Sequence, residues 1–187
     1  FDLNGLNQSV NNLNGDGNVT LGTGNLTENT TGNVTFGGVI SGTGAVTSAG
    51  PGTWIITGNN GWTGGTTISG GVLQLGAGGT SGSLVGNVVN NAAMVINRSD
   101  DVTLAGVISG SGSVTQNSSA DGTTTLTGNN TWTGATTVTG RVKVLYKLSN
   151  GKYIAPVPLE EKLQLSPFIA QAFVYGADRP HNTAVIV

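Results

Sequence analysis

The sequence predicts a mainly β fold: a right-handed parallel β-helix (a solenoid) over residues 1–140, followed by a small α+β fragment of ββαββ order over residues 141–187. Three observations carry that expectation. The composition breaks at Gly140, two stretches of residues 37–70 return almost unchanged within 105–140, and the apolar residues come in runs too short for helices.

The break in composition separates two unlike parts. Residues 1–140 hold 30 of the 32 glycines and a single cation, Arg98, against six carboxylates (Asp2, Asp16, Glu28, Asp100, Asp101 and Asp121). The tail holds the other six cations, every Lys and Tyr, and four of the five prolines. Net charges of −5 and +3 follow, so the overall −2 describes neither part. A long segment without lysine has no electrostatic footprint for a phosphate backbone, and the tail's cations are interleaved with carboxylates and prolines. Nucleic acid is therefore not an expected partner. No apolar run approaches the roughly 20 residues needed to span a bilayer. A chain that begins at Phe1 with no signal-peptide pattern reads as a fragment or a processed product. Zero cysteines removes disulfides and thiolate metal sites.

The repeat decides among β architectures. "GGVISGTGAVT" (37–47) returns as "AGVISGSGSVT" (105–115) at an offset of 68, and "TGNNGWTGGTTISG" (57–70) returns as "TGNNTWTGATTVTG" (127–140) at an offset of 70. The difference falls in the linker, "SAGPGTWII" against "QNSSADGTTTL", as an insertion in a surface turn would. Within each unit the runs "WII" (54–56), "VLQL" (72–75), "MVI" (94–96) and "VTL" (102–104) are divided by Gly, Asn, Ser and Asp, which reads as short strands joined by turns. Glycine at this density costs a helix about 1 kcal/mol per residue, and no stretch of 1–140 sustains an i, i+3, i+4, i+7 apolar pattern, so almost no helix is expected there. A solenoid accommodates near-identical repetition because each coil contacts mainly its neighbours. Coils of roughly 20 to 25 residues would make each unit about three coils, with Asn and Thr in ladders at the turns and Val, Ile and Leu inside.

The stretch "SGTGAVTSAGPGTWIITGNNGWTGGTTISGGVLQLGAGGTSGSL" resembles the passenger-associated transport repeat of bacterial autotransporters, whose units read G-x-I-x-G-x-G-x-L and then L-T-G-x-N-x-[YW]-T-G-x-T. The second copy matches through "LTGNNTWTGATTVTG", so the resemblance covers roughly residues 30–140. It implies a structural, non-enzymatic segment of a passenger at the bacterial cell surface or secreted. Its implied partner is an outer-membrane β-barrel translocator absent from this chain, and a host-surface or glycan ligand would belong to an adhesive variant of the same reading. Export as an unfolded chain favours few charges and no disulfides, and coils that stack on their predecessors can fold as they emerge.

From Arg141 the pattern changes. "RVKVLYKL", the turn "SNG" and "KYIAP" read as two strands, and "PLEEKLQL" as a helix with Pro158 at its first position and Glu160 and Glu161 on its N-terminal dipole. "FIAQAFVYG" and "TAVIV" read as two further strands around "ADRPHN". The run from Thr139 to Val187 resembles the start of the C-terminal subdomain of adenylate-forming (AMP-binding) enzymes, long-chain acyl-CoA synthetases in particular. That resemblance makes Arg141 the arginine that contacts the nucleotide ribose and places Lys143 in the hinge between half-reactions, while Val144 stands where the family carries an acidic residue. The family's ATP- and acyl-binding domain and its later catalytic lysine are absent from the chain, so no enzymatic activity and no cofactor are expected of it. Adenylate formation from a fatty acid and ATP would distinguish the rival reading, a truncated or chimeric fatty-acid CoA ligase whose cytoplasmic location would follow the tail's parent.

The remaining candidates read as structural. "WTGGTTISGG" (62–71) has the Thr and Gly of a phosphate loop but lacks a Pro-Lys ending and recurs in the repeat. His181, the only histidine, sits in a predicted turn without a second metal ligand. Asp100 and Asp101 are adjacent, so on a strand they would point to opposite faces rather than pair for glycoside cleavage. Trp54, Trp62 and Trp132 suit internal stacking better than a ligand platform, because Trp62 and Trp132 occupy equivalent repeat positions. Sequons at Asn18, Asn25, Asn33 and Asn97 arise from the composition, and no calcium-binding nonapeptide is present. The two resemblances share Thr139 and Gly140 with no Pro- or Ser-rich spacer, which reads as a join between two parent genes rather than a linker. The tail is expected to pack poorly on the last coil, as a crude cap.

Overall fold

Val, Ile, Thr and Trp favour extended backbone, and glycine, asparagine and serine at intervals of a few residues supply the turns. The computed structural model describes residues 1–117 and 122–139, together with the strands Tyr146–Lys147, Tyr153–Ile154, Ala172–Tyr175 and Thr183–Ile186. The chain divides into two units, Phe1–Arg141 and Val142–Val187. Among the described residues there are strands and no helix.

The first unit is a right-handed parallel solenoid of about six turns. Three faces follow one another around each coil. On the first, Val19–Thr20, Ile40–Gly42 and Gly61–Trp62 pair in parallel, and Val102–Leu104 with Thr124–Leu126 continue it further along. The second is a six-stranded sheet of Gln8–Val10, Leu26–Glu28, Val46–Ser48, Thr66–Ile68, Val88–Asn90 and Ile108–Ser109. The third has six strands as well: Asn33–Phe36, Thr53–Ile56, Val72–Leu75, Ala93–Ile96, Ser113–Asn117 and Thr136–Thr139. The runs "WII", "VLQL", "MVI" and "VTL" all fall in strands.

Strand alternation sends every second side chain inward, and parallel register stacks like on like. Val34, Trp54, Leu73, Met94 and Val114 form one interior column, and Phe36, Ile56, Leu75 and Ile96 a second. Leu26, Val46, Thr66, Val88 and Ile108 form a third. Each fully buried aliphatic side chain in these columns contributes about 1.5–3 kcal/mol. On the outside of the second face Thr27, Thr47 and Thr67 stand in register, a threonine ladder in mid-strand rather than at the turns where the sequence led one to expect it. The asparagines do something different from stacking on one another. Asn18, Asn25, Asn60, Asn87 and Asn130 each accept, through Oδ1, the backbone N–H of a residue in the adjacent coil (Val39, Ala45, Ile40, Val107 and Ile108) at 2.8–2.9 Å. At a corner the strand ladder stops, and the carboxamide oxygen takes over as acceptor for an otherwise orphaned donor.

Glycine at the corners has a packing reason. Gly24, Gly44 and Gly64 lie over one another, and a methyl group on Gly44 would fall on the Gly24 carbonyl. Gly86, Gly106 and Gly128 repeat the arrangement further along the stack.

The repeat and the coil have different lengths. Gln8 pairs with Leu26, Thr53 with Val72, Val46 with Thr66, Val72 with Ala93 and Thr66 with Val88, so a coil is 18 to 22 residues. An offset of 68–70 residues is therefore three coils and a third rather than about three. Each repeated residue moves on by one face: Ile40 is on the first face and Ile108 on the second, Val46 on the second and Val114 on the third, Thr66 on the second and Thr136 on the third.

In the second unit Tyr146–Lys147 pairs antiparallel with Tyr153–Ile154, and Ala172–Tyr175 with Thr183–Ile186, matching the four strands read from the sequence. The helix expected over "PLEEKLQL" lies outside the described residues.

Candidate functional site

Three charged residues of the solenoid, Arg98, Asp100 and Asp101, share one corner, where the third face turns back to the first. Gly76–Gly82 and Asn97–Asp101 leave the coil there in successive turns. Arg98 is buried, and its guanidinium makes four hydrogen bonds: Nη1 donates to the Gly82 carbonyl (3.0 Å), Nη2 to the Thr80 carbonyl (2.6 Å), and Nε and Nη2 to the two Asp100 oxygens (2.8 and 2.7 Å). The planar fork suits this four-way contact. Arg98 thus latches the 77–82 loop onto the following coil, and Gly78 N donating to Asn97 O (2.9 Å) and Ser99 N to Gly79 O (3.0 Å) complete the tie.

Asp101 is spent separately, its Oδ1 accepting from Thr123 N at 2.8 Å. The two adjacent aspartates do not converge on a common point, so the glycoside-cleaving pair considered from sequence does not form. Because Asp100 is 37 % exposed, the ion pair itself contributes less than about 1 kcal/mol. The carbonyls that the latch satisfies matter more, and Arg98→Ala is expected to cost about 2 kcal/mol in a urea titration and to open the 77–82 loop to protease. A variant as stable and protease-resistant as the parent would show that the loop holds its shape without the latch.

Glu28 is the residue that sequence reasoning missed. It is fully buried, at an inward position of the second face, with no cation beside it. Its carboxylate accepts from Thr30 N (2.9 Å), Thr30 Oγ1 (2.6 Å) and Leu13 N (3.1 Å). The three donors satisfy its oxygens and tie the 11–16 loop to the coil above. Asn90 fills the corresponding place three coils on, its Oδ1 accepting from Ala92 N at 3.2 Å and its Nδ2 donating to Ser113 O at 2.8 Å. The only signal in the sequence is a polar residue at an inward-phase position two residues before a turn.

The tryptophans are structural parts. Trp54 and Trp62 are wholly buried, and Trp62 lies in register with Gly42. In both copies of W-T-G-x-T the indole N–H donates to the threonine four residues on: Trp62 Nε1 to Thr66 Oγ1 at 3.0 Å and Trp132 Nε1 to Thr136 Oγ1 at 3.2 Å. The motif builds a corner, and "WTGGTTISGG" is one of its two instances.

Among the described residues no group of three or more His, Cys, Asp or Glu could hold a metal ion, and residues 1–140 contain no His, Cys or Lys. Glu28, Asp100 and Asp101 are each engaged by donors of the fold. Arg141, Lys143 and His181 lie outside the described residues.

Comparison with known proteins bears on the two units separately. Residues 46–75 and 121–140 match the passenger-associated-transport-repeat family. Within the solenoid those two stretches are similar to passenger repeats. An 85-residue stretch, 43% of this chain, is 47% identical to the Adhesin BmaC autotransporter of Brucella suis biovar 1 (strain 1330), of which it spans 2%. Residues 145–187 match the AMP-binding enzyme C-terminal domain. No solved structure matches the chain. Both stretches of passenger-associated transport repeat contain third-face strands, Thr53–Ile56 and Val72–Leu75 in one and Thr136–Thr139 in the other.

Proposed function

We propose that residues 1–140 are a structural, non-enzymatic segment of a surface-exposed or secreted autotransporter passenger, whose repeats support export and folding outside the cell. The observation that carries this reading is the one-face advance between repeats. A motif serving as a ligand site would be displayed in a constant direction, whereas here "VISGxGxVT" and "WTGxTT" turn from face to face and the signature tryptophans hydrogen-bond within their own corners. What is kept between copies is the means of stacking.

The partner in this reading is an outer-membrane β-barrel translocator, and the location is the cell surface or the medium. Nothing among the comparisons favours a cytoplasmic location. An adhesive or glycan-binding role rests on the Brucella relative's being an adhesin and would belong to the longer passenger. We assign residues 141–187 to a separate, inactive piece of an adenylate-forming subdomain, with Arg141 and Lys143 as nucleotide-side residues by resemblance alone.

The test is export. Leu73→Asp and Met94→Asp place charges in the interior column without touching the corners. In a passenger carrying this segment, they are expected to reduce the protease-accessible fraction at the cell surface severalfold while leaving synthesis unchanged. Undiminished surface delivery with both substitutions would sink the proposal.

A further inference from the structure

Three Asn-Gly pairs fall among the described residues: Asn4-Gly5, Asn14-Gly15 and Asn60-Gly61. An Asn-Gly pair is chemically labile because the glycine places no Cβ beside the backbone nitrogen that attacks the asparagine side chain. The fold treats the three pairs differently. Asn60 is buried and held on every side, its Oδ1 accepting from Ile40 N (2.8 Å) and its Nδ2 donating to the carbonyls of Gly58 (2.8 Å) and Ser83 (3.1 Å). Asn4 and Asn14 are exposed in the first coil. Asn4 (φ 51°) and Gly5 (φ 74°) are the central residues of a reverse turn closed by Leu6 N donating to Leu3 O at 2.9 Å. That closing bond does not use the Gly5 nitrogen, and among the described residues the Asn4 carboxamide has no hydrogen-bond partner. The Asn14 carboxamide has one local contact, Nδ2 to Asn12 O at 3.2 Å, and Gly15 has φ 94°.

We propose that Asn4 and Asn14 are sites of spontaneous deamidation and isoaspartate formation in the folded protein, and that Asn60 is protected by the coil stack. The glycine nitrogen attacks the asparagine Cγ and forms a cyclic imide, while the Cγ–NH2 bond breaks and ammonia leaves with the proton lost by the attacking nitrogen. Water then adds to either imide carbonyl, yielding aspartate or isoaspartate. The net change is uptake of one water and release of one ammonia. Each event adds a negative charge to a coil that already carries Asp2 and Asp16. The isoaspartate product also lengthens the backbone by one carbon in the turn that positions Leu3 N against Thr20 O (2.8 Å). The first coil is thus expected to loosen with age while the interior stack does not.

The experiment incubates the full chain at mildly alkaline pH and follows each site by peptide mass spectrometry, with isoaspartate read by methyltransferase labelling. In the folded protein Asn4 and Asn14 are expected to convert about a hundredfold faster than Asn60, since three side-chain hydrogen bonds must open before Asn60 can react. In denaturant the three rates should converge. Conversion of Asn60 at the rate of Asn4 in the folded chain, or a failure of Asn4 and Asn14 to outpace it, overturns the proposal. So does a rate difference that survives denaturation, because sequence rather than fold would then set it.

Discussion

Trp62→Ala is expected to cost the solenoid about 3–5 kcal/mol, and Trp132→Ala less than half as much, although the two residues occupy the same place in the repeat. Trp62 is wholly buried, stacks in register with Gly42 of the adjacent coil, and donates to Thr66, which is itself buried. Its removal leaves a large cavity between coils held in register on both sides. Trp132 is only half-buried, in the last turn of the described solenoid, and its acceptor Thr136 is exposed. Urea unfolding of the two variants tests this directly. Equal losses would mean that the motif's own geometry, rather than burial, sets its worth. Trp62→Phe separates the two contributions, because it keeps much of the ring volume but leaves the buried Thr66 hydroxyl without its donor, a loss of about 1–2 kcal/mol.

Gly44→Ala is expected to be at least as damaging as a core truncation, about 3 kcal/mol or more, although it adds one methyl group. That methyl would fall on the Gly24 carbonyl, and the stacked backbones are both held by strand pairing on either side of the corner, so neither can withdraw. Coils at the ordinary strand separation of about 4.8 Å leave no room for a side chain between carbonyl and Cα. Gly32→Ala is the matched control. Nothing lies within 4 Å of the site a Cβ would take there, and the change is expected to be neutral or mildly stabilising. If Gly44→Ala unfolds at the same urea concentration as Gly32→Ala, corner glycines are not required by close approach.

The architecture was legible for a definite reason. Leu73 and Leu75 alternate with Val72 and Gln74, Met94 and Ile96 with Ala93 and Val95, and each short run lies between glycines or asparagines, so strand and turn boundaries were both marked in the local chemistry. The parallel stack followed from repetition, since equivalent strands in a solenoid meet at a regular interval. Glu28 was hidden because its role depends on Leu13, fifteen residues earlier and one coil below. Arg98 stood out as the lone cation, but its partners Thr80 and Gly82 are backbone carbonyls, which carry no sequence signature.

By itself the sequence determined that residues 1–140 form short strands stacked as a parallel solenoid, and that Arg141 opens a segment of different character. Those features depend on side-chain alternation, glycine content and self-similarity, all of which are local or periodic. Only the tertiary structure decided which face each residue occupies. Coils of 18 to 22 residues, most of them 20 or more, do not divide a repeat of 68 to 70, and the remainder of one face turns each copy of the motif away from the last. That phase is set by how many residues the corners and excursions such as Gly76–Gly82 take out of the strand ladder, and long-range contacts such as the Arg98 latch hold them there.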